Sequence, residues 1–330
     1  MKPDFLVLGS NSFSGASFTA FLLEQGFSVL AISRSPEGHP ALTPYLWRAD
    51  RKGVEFHQLD LNSQLPEICQ LLNLRKPPRV VNFAAQSMVA ESWANPDHWF
   101  MTNVVSTIRL HEAMRSMPFL ERYVHVSTPE VYGSTSGSVA EDAPFNPSTP
   151  YAVSRAAADM SLRTYHAAYG FPVITTRAAN VYGPGQPLYR IIPRTLFCIR
   201  TGERLQLHGG GASQRSFIHI RDVCDATLKV ALHGRLGETY HIATRDQITI
   251  RSLVETICRR MGMSLESVAD VAEERVGKDA FYTLDTRKIR RELGWSDTLS
   301  LETGIDETLS WIDANLEELK RLPHSYIHKP

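Results

Sequence analysis

Four stretches of this chain carry residue types whose spacing can do chemistry. The first is Gly9-Ser10-Asn11-Ser12-Phe13-Ser14-Gly15, where an apolar run gives way to a helical pattern. A glycine loop between a strand and a helix lets backbone N–H groups and the helix dipole hold a pyrophosphate, which makes a dinucleotide the expected ligand. A turn that uses glycine for geometry alone is the plainer alternative. The other three are Ser127-Thr128-Pro129-Glu130-Val131-Tyr132-Gly133, Tyr151-Ala152-Val153-Ser154-Arg155 and Arg177-Ala178-Ala179-Asn180-Val181-Tyr182-Gly183-Pro184. The second apolar run ends in Ile32-Ser33-Arg34-Ser35, where NAD-preferring proteins place a carboxylate for the adenosine ribose. Here no acid stands, and Arg34 is placed to meet a 2′-phosphate, so within NAD(P) the residues lean toward NADP. The twelve histidines show no HExxH or paired-ligand spacing, and no catalytic metal is expected.

These residues need a frame, and the first half of the chain supplies one. Short apolar runs at Phe5–Leu8, Val29–Ile32, Val54–Gln58, Val80–Phe83, Tyr123–Ser127 and Val173–Arg177 read as buried strands. Helical patterns at Ala16–Glu24, Trp99–Ser116 and Tyr151–Tyr169 lie between them. Such alternation predicts an α/β fold, a doubly wound parallel (Rossmann) sheet with right-handed crossovers and ligands at the carboxyl ends of its strands. Beyond it, loop signals flank a helical stretch at Ile191–Arg200, and an amphipathic helix is expected around Leu301–Leu322. The predicted division is a dinucleotide-binding domain of residues 1–180 with 217–244, and a smaller substrate lobe of residues 181–216 with 245–330.

Composition narrows the class of function. The 330 residues are 43% hydrophobic and 21% charged, ordinary globular material. Thirty-five basic residues balance thirty-five acidic ones, so no overall field favours nucleic acid or an anionic membrane. Cys69, Cys198, Cys224 and Cys258 form no CxxC pair, and no apolar run reaches membrane-spanning length. The apolar run near the N-terminus is too short for a signal-peptide core, and the expectation is a cytoplasmic protein.

On these segments, together with Asn82-Phe83-Ala84-Ala85-Gln86-Ser87, Thr102-Asn103-Val104, Arg215-Ser216-Phe217-Ile218, Gly277-Lys278-Asp279 and Leu293-Gly294-Trp295, the chain resembles the extended short-chain dehydrogenase/reductase family. Within it the nearest kinds are sugar-nucleotide 4,6-dehydratases, those acting on dTDP-glucose and GDP-mannose. The resemblance implies that Tyr151 is the base for a sugar 4-hydroxyl, with Thr128 bonded to the same oxygen. A Tyr hydroxyl titrates near roughly 10 in water, and a neighbouring cation, here Arg155, lowers that value. It further implies that Glu130 removes the C5 proton once C4 is a ketone, while the C6 hydroxyl leaves. Gly9 and Gly15 would approach the pyrophosphate and Asp60 would face adenine, with Asn11, Ser12, Phe13, Arg34, Leu61, Ala84, Ala85, Tyr151 and Arg155 also binding the cofactor. Ser87 would lie near nicotinamide or sugar, while Asn180, Arg190, Arg215 and Arg275 would hold the sugar nucleotide. A homodimer built from the helices at Trp99–Ser116 and Tyr151–Tyr169 is also implied, with Ala156, Ala157 and Ala158 allowing close approach.

Four positions depart from the family pattern. Ser12 replaces the middle glycine of the loop, Arg155 replaces the lysine four residues after the tyrosine, Pro129 replaces an acid, and Met88 stands where many relatives have histidine. A proline has no proton to give the leaving C6 oxygen, so Glu130 is expected to take the C5 proton and deliver it there. The competing readings are a 4-epimerase, a C4 dehydrogenase, a glucuronate-type decarboxylase and a cofactor-binding module without chemistry. Glu130 weighs against the epimerase, since chemistry confined to C4 has no use for a base at C5.

Overall fold

The computed structural model describes residues 2–135, 137–273 and 283–329. Five strands open the chain: β1 (Phe5–Leu8), β2 (Val29–Ser33), β3 (Val54–Gln58), β4 (Arg79–Asn82) and β5 (Arg122–Val126). Strands Val173–Ala178 and Thr239–Ile242 complete a seven-stranded sheet. Its order is Thr239–Ile242, Val173–Ala178, β5, β4, β1, β2, β3, and every neighbouring pair is parallel. This is the Rossmann-like α/β architecture that the alternation predicts. The seventh strand, Thr239-Tyr240-His241-Ile242, mixes polar with apolar residues and gave no clean apolar run. Observed β4 and β5 each begin and end one residue before their expected bounds.

Each strand is sandwiched because alternate side chains point to opposite faces. Phe5 and Val7 of β1 join one core with Phe18, Ala31, Val81, Val124 and Val230. Leu6 and Leu8 join the other with Ile68, Leu72, Leu110, Met114 and Leu162. A third core, around Leu196, Phe197, Leu253, Ile257, Trp311 and Ile312, belongs to the later part of the chain. Among the described residues no helix is long and apolar enough to cross a membrane.

Helix α1 (Phe13–Glu24) starts three residues before the expected Ala16, because Ser12 caps it through the Gly15 N–H. Helix Pro150–Tyr169 has strong signals at both ends: Thr149 accepts from the Ala152 N–H at 3.1 Å, Pro150 occupies the first turn, and Gly170 closes it in the left-handed region. The single helix expected over Trp99–Ser116 is a succession instead. Pro96–Phe100 is α-helical, Met101–Ser106 is a π-helical segment, and Thr107–Arg115 is α-helical again.

Candidate active site

The sheet order sets the carboxyl ends of β4, β1 and β2 side by side, and the glycine loop leaves β1 between the other two. Gly9 has φ +76°, and a Cβ there would stand 2.7 Å from the Ala84 nitrogen and 2.8 Å from the Phe83 carbonyl carbon. The loops after β1 and β4 therefore touch backbone to backbone. A Cβ on Gly15 would overlap the Gly9 carbonyl. Ser12 closes this loop: its Oγ donates to the Gly9 carbonyl at 2.7 Å and accepts from the Gly15 N–H at 3.1 Å. In this conformation the hydroxyl shapes the loop instead of pointing its proton outward. Asn11 Nδ2 donates to the carbonyls of Ser35 and Pro36, at 3.1 and 2.7 Å, tying the loop to the chain that leaves β2. Phe13 packs on the first core. Ser12 is exposed at the N-terminus of α1, where first-turn N–H groups lack helical acceptors. That cradle fits a dinucleotide pyrophosphate.

Asp60 follows β3 and folds back on itself, its Oδ1 accepting from the Asn62 N–H at 2.8 Å. Leu61 is buried in the second core. The π-helical segment holds this loop and the one after β4 together. Asn62 Nδ2 donates to Thr102 Oγ1 at 3.0 Å. Asn103 Oδ1 accepts from the Gln86 N–H and Asn103 Nδ2 donates to the Gln86 carbonyl, both at 2.9 Å, and Nδ2 also donates to Ser154 Oγ at 3.0 Å. A π turn adds one residue to a helical turn, which re-aims side chains and recurs at functional sites. Sequence reasoning marked Asn103 only as part of a matched motif and assigned Gln86 no role.

The chemical centre forms where three elements meet. Thr128 follows β5 by two residues and caps a short 3-10 turn, Pro129–Tyr132, accepting from the Glu130 N–H at 3.3 Å. Pro129 supplies that turn with a fixed φ. Tyr151 stands in the first turn of Pro150–Tyr169, with Arg155 one turn on and Asp159 another turn on; all three are buried. The Tyr151 hydroxyl is hydrogen-bonded to Thr128 and feels Arg155, Glu130 and Arg190. The structure thus brings together Tyr151, Thr128, Glu130 and Arg155, as expected, and adds Arg190. It reverses one expectation in this conformation: burial raises the Tyr151 hydroxyl above its ordinary value, outweighing the lowering by Arg155 and the Thr128 bond, while Glu130 raises it further.

Beneath the centre lies a buried polar chain with no counterpart in the sequence reading. Arg155 Nη2 donates to the Val126 carbonyl and lies 3.2 Å from His125 Nε2. Asp159 accepts from Arg177 Nη2 and from Ser127 Oγ, both at 2.7 Å. Arg177 Nη1 donates to the Tyr132 hydroxyl, which lies 2.8 Å from His241 Nε2. Burial and the two arginines hold His125 well below the usual imidazole range. His241 is pushed down to about 3, by burial first and then by Arg177. Both rings are therefore neutral near neutral pH, and Asp159 pairs with the Arg177 guanidinium.

The residues expected to hold substrate are more spread. Ser87 is exposed after β4, and Met88 is half-buried beside it. Asn180 begins a short strand, Asn180–Tyr182, whose partner Phe217–His219 follows Arg215 by one residue. Arg215 is buried, with Nη1 donating to the Gln214 carbonyl at 2.8 Å. Arg190 is exposed at the start of helix Ile191–Thr201, its guanidinium 5.4 Å from the Tyr189 ring centre. Arg275 and Gly277-Lys278-Asp279 lie outside the described residues. Among the described residues no group of three or more His, Cys, Asp or Glu is placed to hold a metal ion.

Known proteins share this frame. The family model described as GDP-mannose 4,6 dehydratase matches residues 6–308. The dTDP-glucose 4,6-dehydratase of Xanthomonas campestris pv. campestris is 35% identical over 266 residues, 75% of this chain and 76% of that protein. The Streptomyces niveus dTDP-glucose 4,6-dehydratase is 38% identical over 237 residues, 72% of this chain and 70% of its own length. Among solved structures, the dTDP-glucose 4,6-dehydratase DesIV from Streptomyces venezuelae, a double mutant with NAD and DAU bound, superposes with a TM-score of 0.89 at 33% identity, covering 97% of this chain and 99% of that one. The chain belongs to the sugar-nucleotide 4,6-dehydratase family, NAD(P)-dependent lyases of the extended short-chain dehydrogenase/reductase type.

Proposed function

We propose that the protein turns a nucleoside-diphosphate hexose into its 4-keto-6-deoxy derivative, by oxidation at C4, loss of water across C5 and C6, and reduction at C6. What supports this reading is Glu130, whose N–H bonds to Thr128 and whose charge is felt by the Tyr151 hydroxyl. Tyr151 takes the proton of the sugar 4-hydroxyl, and Thr128 holds the same oxygen. Bound NAD(P) supplies a hydride acceptor for C4 and the hydride for C6. Glu130 removes the C5 proton, acidified by the new ketone, and hands it to the departing C6 oxygen, a task that Pro129 has no proton to perform. As C6 is reduced, a solvent proton returns to C5 through Glu130, and Tyr151 gives up the 4-hydroxyl proton to solvent. Arg190, Arg215 and Arg275, with Asn180, hold the nucleotide diphosphate and sugar, the planar guanidinium suiting paired bonds to phosphate. Ser87 stands near the reacting ring.

The finer assignments are part of the proposal. Arg34 taken alone leans toward NADP, but its Nη2 donates to the Lys329 carbonyl at 3.0 Å, and the solved neighbours from Streptomyces venezuelae and Bacillus anthracis carry NAD. We therefore favour NAD; tighter binding of NADP in a direct titration would reverse that choice. A homodimer is supported by Val153 and Met160, exposed on Pro150–Tyr169, and by Phe100 and Met101, exposed on the neighbouring helical segment. Light scattering at micromolar protein that reads one chain would remove it. A cytoplasmic location remains the reading of the sequence, consistent with four free cysteines.

The relatives make dTDP-glucose the first substrate to try, within a panel of dTDP-, UDP-, GDP- and CDP-hexoses followed by mass spectrometry. Loss of one water from one member is expected. A ketone formed without water loss points to a C4 dehydrogenase, and no change with any sugar points to a binding module; either outcome overturns the proposal.

A further inference from the structure

The chain that follows helix Leu301–Arg321 leaves the neighbourhood of Phe197, on which His324 sets its ring edge-on with centres 4.5 Å apart. Residues 323–329 run back across the carboxyl edge of the sheet. Tyr326 sets its ring edge-on to Tyr189, with centres 5.6 Å apart. His328 stacks on Trp99 and on His98, each at 5.1 Å, and its Nε2 lies 2.8 Å from His98 Nδ1. The Lys329 carbonyl accepts from Gln86 Nε2 at 2.6 Å and from Arg34 Nη2 at 3.0 Å, and Lys329 Nζ donates to Ser35 Oγ at 3.0 Å.

Those partners define a place. Arg34 and Ser35 follow β2, Gln86 follows β4, and β1 with its glycine loop lies between them in the sheet. One carbonyl oxygen bonded to both Arg34 and Gln86 therefore joins the chain after β2 to the chain after β4 at the crevice in which a dinucleotide binds. Gln86 is itself buried and locked on both sides of its backbone by Asn103, so the anchor is rigid. Ser12, at the N-terminus of α1, stays exposed. A segment that filled the crevice would cover it; a segment that bridges above leaves it open.

We propose that residues 323–329 are part of the cofactor site, a strap that closes over the bound dinucleotide from the Tyr189 side to the Ser35 side and slows its release. The inference rests on the reading of this crevice as the cofactor site. It also fits the reaction: a cofactor reduced and reoxidised within one turnover has no need to leave, and retaining it keeps the reduced form with its own intermediate. The Lys329 carbonyl occupies one donor of Arg34, the residue read as facing a 2′-phosphate, so the strap also bears on the choice between NAD and NADP.

The test is the rate at which NAD leaves the full-length protein, read by chasing bound NAD with excess unlabelled NAD. Removing residues 323–330 is expected to speed release at least tenfold. His328→Ala and Tyr326→Ala, which keep the whole chain, are expected to give intermediate increases. Release unchanged in all three variants overturns the proposal. Slower release after the removal also overturns it, because the segment would then be competing with the dinucleotide. The readout is cofactor release, so its failure is distinct from failure of the dehydration reading, which water loss from the sugar tests in the intact protein.

Discussion

Arginine at position 155 keeps a positive charge one helical turn from Tyr151, but a guanidinium cannot sit as a compact ammonium does. Here it is held from below by the Val126 carbonyl and His125, which fixes the charge beside a phenol that burial has already pushed up. The sign of the consequence is definite. Losing the cation removes a lowering influence, so the Tyr151 hydroxyl rises further and the alkaline gain in activity moves to higher pH. Arg155→Ala is expected to lower kcat at neutral pH by roughly a hundredfold or more, the usual worth of a general base, and Arg155→Lys to stay within about tenfold of wild type. A pH–rate profile for each variant checks this. An alanine variant whose alkaline limb coincides with wild type would deny Arg155 the role. At this scale the sequence was informative: Thr128 and Glu130 stand just past a strand end, Tyr151 in a first helical turn and Arg155 one turn on, positions that local signals mark. The upward shift at Tyr151 was not legible, since it depends on how deeply the fold buries the ring.

Elements with local signals were readable to within three residues. Thr149, Pro150 and Gly170 mark both ends of the helix that carries Tyr151, and the apolar runs mark the central strands. The π-helical segment Met101–Ser106 left no such mark, because nothing in its composition separates it from an α-helix; its cause is tertiary. It turns Asn103 onto the backbone of Gln86 and Thr102 onto Asn62, so that one helix fixes the loops after β3 and β4. Asn103→Ala would leave the Gln86 N–H and carbonyl without those partners in a buried setting. A loss of about 1–3 kcal/mol in stability is expected, read as a lower denaturant midpoint together with weaker NAD binding. An unchanged midpoint would show that these bonds are replaced by others.

At the scale of the whole molecule, residues 323–329 tie Tyr189 and Trp99 to the ends of β2 and β4 across the carboxyl edge of one sheet. That tie was invisible in the sequence, where His324-Ser325-Tyr326-Ile327-His328-Lys329 has no periodicity and its partners Arg34, Gln86 and Tyr189 are far away along the chain. The arrangement makes sense for a reaction that begins and ends with the same oxidised cofactor, and that internal redox is the account's central claim. The direct measurement is conversion of dTDP-glucose carrying deuterium at C4, or of whichever nucleotide hexose the panel selects, followed by NMR of the product. The account predicts a 4-ketone that has lost water and carries the deuterium on its C6 methyl group. Deuterium absent from C6, or a ketone that keeps its C6 hydroxyl, would contradict it.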